Sequence, residues 1–64
     1  MQNTFWTLIE NYYYRIENKQ LKYAPVNPEN NKIILEEAEV VTNISADILA
    51  LINKQFNTTL DIKG

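Results

Sequence analysis

Residues 11–26 read NYYYRIENKQLKYAPV and hold all four tyrosines of the 64-residue chain. This stretch is either the tail of an amphipathic helix or a β-hairpin, and the choice sets the fold. In a helix, neighbours recur three and four apart, and consecutive residues step around the axis by about 100°. Phe5, Leu8, Ile9, Tyr12 and Ile16 satisfy that spacing, so a helix entering from Asn3 or Thr4 is expected at the start of the chain. Tyr12, Tyr13 and Tyr14 cannot share one helical face, however, and Leu21 and Tyr23 fall off the apolar side.

A two-residue turn at Asn18-Lys19 resolves the pattern. It pairs Glu17 with Gln20, Ile16 with Leu21, Arg15 with Lys22, Tyr14 with Tyr23, Tyr13 with Ala24 and Tyr12 with Pro25. One face then carries Tyr12, Tyr14, Ile16, Leu21, Tyr23 and Pro25. The other carries Tyr13, Arg15, Glu17, Gln20, Lys22 and Ala24. Such a separation is the period-two signature of a half-buried antiparallel pair. Asparagine tolerates the positive φ of a tight turn, whereas Lys19 stands where glycine is usual. Pro25 suits the end of an edge strand. The first helix is therefore expected over Thr4 to Asn11, with strands from Tyr12.

Downstream, Asn27-Pro28-Glu29 has the order of a helix start: an Asn cap, Pro in the first position and an early acid. Ile33, Ile34, Ala38, Val40, Val41 and Ile44 form one broad arc, interrupted by Glu37. A helix over Glu29 to Val41 is expected, with a third strand near Lys32 to Glu36 as the alternative. The last element is plainer. Ser45 is a good N-cap, Asp47 sits in the first turn, and Ile48, Leu49, Ile52, Phe56 and Leu60 occupy one arc of about 120°. This predicts a helix from Ala46 to Asn57, followed by the tail Thr59-Leu60-Asp61-Ile62-Lys63-Gly64 as a short extended or frayed piece. The fold class expected is α+β: a short N-terminal helix, a β-hairpin, a second helix and a C-terminal amphipathic helix. An all-α three-helix bundle is the alternative.

Composition bounds what such a chain can do. Residues 1–64 make one small domain, and at this size only about 60% of the unfolded surface is buried. With no cysteine and no histidine, disulfides are excluded and the usual zinc ligands are missing. No cofactor is expected. The commonest general base near neutral pH and the thiolate nucleophile are both absent, and the only glycine is Gly64, so no glycine-rich phosphate loop exists. The chain is therefore read as a non-enzyme. Apolar runs such as Ile33-Ile34-Leu35 fall far short of the roughly 20 residues of a membrane span. No signal peptide is recognisable at the N-terminus, and a cytoplasmic location is expected.

The net charge of −2 is unevenly distributed. Residues 1–27 carry +1, from Arg15, Lys19 and Lys22 against Glu10 and Glu17. Residues 28–64 carry −3, from Glu29, Glu36, Glu37, Glu39, Asp47 and Asp61 against Lys32, Lys54 and Lys63. This balance disfavours binding driven by phosphate neutralisation.

Asn43 to Leu60 is similar to the second helix of acyl carrier proteins in its Asp47-Ile48, Leu51-Ile52 and Phe56 spacing. That family attaches phosphopantetheine to the serine of an Asp-Ser-Leu motif. Val41-Thr42-Asn43 stands in its place here, so no attachment site carries over.

Tyr12, Tyr14 and Tyr23 are expected in the core, their hydroxyls reaching the surface. The remaining aromatic surface points to an interface, since Tyr and Trp bury large areas at low entropic cost. Trp6, Tyr13, Arg15 and Lys22 are the candidate partner-binding residues, with Glu36, Glu37 and Glu39 as a secondary acidic patch. The function expected is that of a small regulator or inhibitor binding a larger protein, with self-association possible. An accessory subunit of an enzyme complex, or weak single-strand nucleic-acid association through the outer hairpin face, are the alternatives.

Overall fold

The computed structural model describes residues 4–62. It shows strands β1 (Thr7–Ile9), β2 (Tyr12–Glu17) and β3 (Gln20–Pro25), a 3-10 turn (Leu35–Glu37), strand β4 (Glu39–Val40) and helix α1 (Ala46–Phe56). The strands form one antiparallel sheet in chain order, β1-β2-β3-β4. Two layers result: the sheet, and α1 across one of its faces.

The β2–β3 hairpin has the register that the alternation dictates, from Tyr12 opposite Pro25 to Glu17 opposite Gln20. Its turn residues Asn18 and Lys19 both have positive φ, 53° and 66°, as a type I′ turn requires. The face holding Tyr14, Ile16 and Leu21 lies against α1. These residues join Ile9, Val41 and Ile52 in the core, and Ile16 and Ile52 are fully buried. Tyr23, Ile44, Ile48, Phe56, Leu60 and Ile62 pack around its margin.

The rest of the expected fold is overturned. There is no helix over Thr4 to Asn11. Thr7–Ile9 is a strand pairing with Tyr12–Tyr14, and it turns into β2 through Glu10, whose φ is 59°. Thr4 pairs with Ile16: its amide donates to the Ile16 carbonyl at 2.9 Å, and its hydroxyl accepts from the Ile16 amide at 2.8 Å. Thr7 lies opposite Tyr14, so Phe5 and Trp6 together face the single residue Arg15. This is a β-bulge in the outer strand. Asn3, the other expected start of the helix, lies outside the described residues.

Nor is there a helix over Glu29 to Val41. The Asn27 side chain accepts from the Glu29 amide and the Asn30 side chain from the Lys32 amide, each at 2.9 Å. These local bonds give the backbone a turn in place of a helical start. Asn31, with φ 60°, sends the chain back along β3. Val26 bridges to Ile33, the Ile34 amide donates to the Pro25 carbonyl, and Glu39 and Val40 then pair with Tyr23 and Lys22. Leu35 to Ala38 thus stand opposite Ala24 alone, and the 3-10 turn takes up the excess. Of the alternative strand near Lys32 to Glu36, only the Ile33 bridge is present. Pro25 closes an interior strand, because β4 flanks β3.

Among the described residues α1 is the only α-helix, so the three-helix bundle is also excluded. It begins where expected: the Ser45 hydroxyl accepts from the Ile48 amide at 3.3 Å. It ends at Asn57, whose left-handed conformation (φ 55°) makes the C-cap. Asn53 then ties down the chain that follows. Its amide donates to the Leu60 carbonyl, and its oxygen accepts from the Thr58 hydroxyl and the Leu60 amide. The expected tail is therefore anchored as far as Ile62, which packs against the core. Lys63 and Gly64 lie outside the described residues. No described helix is long and apolar enough to cross a membrane.

Candidate partner-binding surface

The helix covers one face of the sheet, and the strand registers build the other. Arg15 pairs with Lys22, and Lys22 with Val40. The bulge brings Trp6 beside Arg15, whose guanidinium carbon lies 5.7 Å from the indole centroid. A row Trp6–Arg15–Lys22–Val40 therefore runs from the bulge before β1 across β2 and β3 to β4. The next row holds Leu8, Tyr13 and Ala24.

Glu17 organises the charges of this face. Lys22 Nζ donates to Glu17 Oε1 at 2.6 Å, and Arg15 Nη2 lies 3.5 Å from Glu17 Oε2. The hydrogen bond and charge of Lys22, then the charge of Arg15, hold the Glu17 carboxyl below its ordinary pKa. Arg15 Nε is buried without a hydrogen bond. Together these side chains floor an open concavity of about 450 Å³, walled by Leu35 and Val40. Leu35, Val40 and Leu8 are 58%, 42% and 53% exposed.

Three of the four residues singled out from the sequence, Trp6, Arg15 and Lys22, thus line one concavity. Tyr13 shares their face but not the concavity, and its hydroxyl donates to the Asn31 carbonyl at 3.4 Å. Sequence reasoning missed Leu35 and Val40 as walls, since a helix over residues 29–41 would have placed Val40 on its apolar arc and left Leu35 off it.

Glu36, Glu37 and Glu39 gather beside the gap in pairing opposite Ala24 and line a second concavity, of about 420 Å³, with Tyr12, Tyr23 and Pro25. Only Glu39 reaches both concavities. The tyrosines expected in the core grade from inside to outside. Tyr14 is buried, and burial pushes its phenol pKa up, with smaller contributions from Tyr12 and Tyr23. Tyr23 is half-buried, while Tyr12 is 41% exposed. Their rings form one cluster: Tyr14 and Tyr23 are stacked, and Tyr12 meets both edge-on. Among the described residues, no group of three or more His, Cys, Asp or Glu side chains is placed to hold a metal ion.

What the fold and this surface define is a small antiparallel meander with one helix behind it and a mixed aromatic and charged face in front. No protein-family model, curated protein or solved structure matches the chain.

Proposed function

We propose that the protein is a non-catalytic interaction module, a small regulator or inhibitor that binds a larger protein through the face of its sheet that α1 does not cover. The observation that carries this reading is the Trp6–Arg15–Lys22–Val40 row. Glu17 fixes both cations, and the concavity they floor is rimmed by exposed Leu35 and Val40. Aromatic and arginine side chains held in place at the centre of a patch are the composition of binding hot spots. A standard interface takes about 800 Å² from each partner, a minor share of the 4814 Å² surface. A second copy of the chain is the other partner this face would suit.

Stacking on a single nucleic-acid strand has less support, because Glu17 already engages both cations of the row. A cytoplasmic setting belongs to the same proposal and is supported by the cysteine-free composition.

Affinity capture from the host's lysate, with nuclease present, tests the reading. The wild type should retain a protein in fixed stoichiometry, and Trp6→Ala and Lys22→Glu should release it. Equal retention by both variants would remove this face from the interface. Recovery of the bait alone, with a sedimentation mass that rises with concentration, would assign the face to self-association.

A further inference from the structure

The second concavity lies on the sheet face that α1 shares, beyond the helix's cover. Its floor is aromatic. Tyr12 and Tyr23 meet with ring centroids 5.6 Å apart and planes at 70°, two walls of a corner. Pro25, directly opposite Tyr12 in the register, extends the floor. Glu36 and Glu37, from the 3-10 turn, and Glu39, from β4, stand at the rim. The four residues Leu35 to Ala38 that face Ala24 alone are what bring the first two carboxylates to this edge.

Charge decides what such a corner would hold. Among the described residues both ion pairs involve Glu17, and neither Glu36 nor Glu37 has a cationic partner. The Glu39 carboxylate accepts a hydrogen bond from the Tyr23 hydroxyl at 3.4 Å. Aromatic faces attract a cation through the ring quadrupole, and carboxylates at the same mouth pair with its N–H groups. A neutral apolar side chain would leave the rim unanswered, and an anion would be repelled by it.

We infer that this corner receives an arginine or lysine side chain from an exposed basic segment of a protein partner. The space of about 420 Å³ admits such a side chain together with part of the extended backbone that carries it. The site shares only Glu39 with the first concavity, is lined by none of Trp6, Arg15 and Lys22, and does not depend on that row's function. Of the two concavities, Tyr12 lines only this one and Trp6 only the other.

The test is a nuclear magnetic resonance titration of the folded protein with a capped tetra-arginine peptide, and in parallel with its neutral tetra-citrulline counterpart. The arginine peptide should shift the Tyr12 and Tyr23 ring resonances and the Glu36 to Glu39 amides saturably, and the citrulline peptide should not. Tyr12→Leu and Glu37→Gln should each weaken binding by about threefold or more, the scale of one exposed cation–π or ion-pair contact. Trp6→Ala should leave the titration unchanged. Shifts spread equally over Glu10, Glu29 and Asp47 would overturn the inference. So would an unchanged affinity in both Tyr12→Leu and Glu37→Gln, or equal binding of the citrulline peptide.

Discussion

Lys19 occupies the left-handed region at φ 66°, next to Asn18 at 53°. For a residue with a Cβ that conformation costs roughly 1–2 kcal/mol, and glycine avoids it while gaining freedom in the unfolded chain. Lys19→Gly should therefore stabilise the protein by a net of about 0.5–1 kcal/mol, read as a higher urea midpoint at constant slope. A second residue-scale prediction concerns Glu17. Lys22 and Arg15 depress its folded pKa, so its contribution to stability is present above the unfolded value and is lost as pH falls through the depressed folded value. A carbon-detected titration of the Glu17 carboxyl should show a midpoint below that of an ordinary glutamate, and Lys22→Met should move it back up. A Glu17 midpoint indifferent to Lys22→Met would show that the pair does not persist in solution. These two residues also mark how far a single sequence can be read. The positive charges and the turn were legible because the alternation of Tyr12 to Pro25 fixes which side chains face each other. That Glu17 would take both Arg15 and Lys22 was not, since pairing them requires the rotamers of one face.

At the scale of elements, legibility follows length. The six-residue strands β2 and β3 and the eleven-residue α1 repeat their periods often enough to be recognised, and Ser45 marks where α1 begins. β1 and β4 have three and two residues, too few for alternation to register. Phe5, Leu8, Ile9, Tyr12 and Ile16 do fit a helical spacing, but that spacing runs across a bulge, a turn and two strands. The warning in the middle segment was Glu37, an acid inside an apolar arc. In the fold it lies on a 3-10 turn and is exposed. The second concavity could not be read from the sequence for the same reason, because it depends on a break in strand pairing at Ala24. Asn53 gives this scale its prediction. Its three side-chain hydrogen bonds hold residues 58–60, so Asn53→Ala should free that segment while leaving the hairpin intact. The Thr58 amide keeps its bond to the Asn53 backbone carbonyl, whereas exchange at the Leu60 amide should accelerate by about tenfold or more, the effect of losing bonds worth roughly 0.5–1.5 kcal/mol each. Unchanged exchange there would assign the anchoring to Leu60 and Ile62 packing alone.

For the whole molecule, the core cluster forms one contact layer between the sheet and α1, with Ala24 buried on the opposite face. Folded domains hold roughly 0.05–0.15 kcal/mol per residue, which for this chain means about 3–10 kcal/mol in total. Ile52 is fully buried at the centre of that layer. Ile52→Ala should cost about 2–5 kcal/mol, a large fraction of what is available. The variant should show a strongly lowered thermal midpoint by circular dichroism, whereas Leu51→Ala, at a position 41% exposed, should change it little. Comparable losses from the two would mean that α1 packs by a different face.

The position of α1 after all four strands has a consequence for synthesis. A ribosome delivers the sheet before the helix that seals it, and a domain folds as a unit. The β2–β3 hairpin has its own turn, yet an isolated two-stranded hairpin is marginal in water. Ile16 and Leu21 then remain wet until Ile52 arrives. For that interval the face that α1 will cover is open, and the Trp6 face has no finished fold behind it. Burial of Ile16 and Leu21 under Ile52 is therefore the last step that makes the Trp6 face rigid.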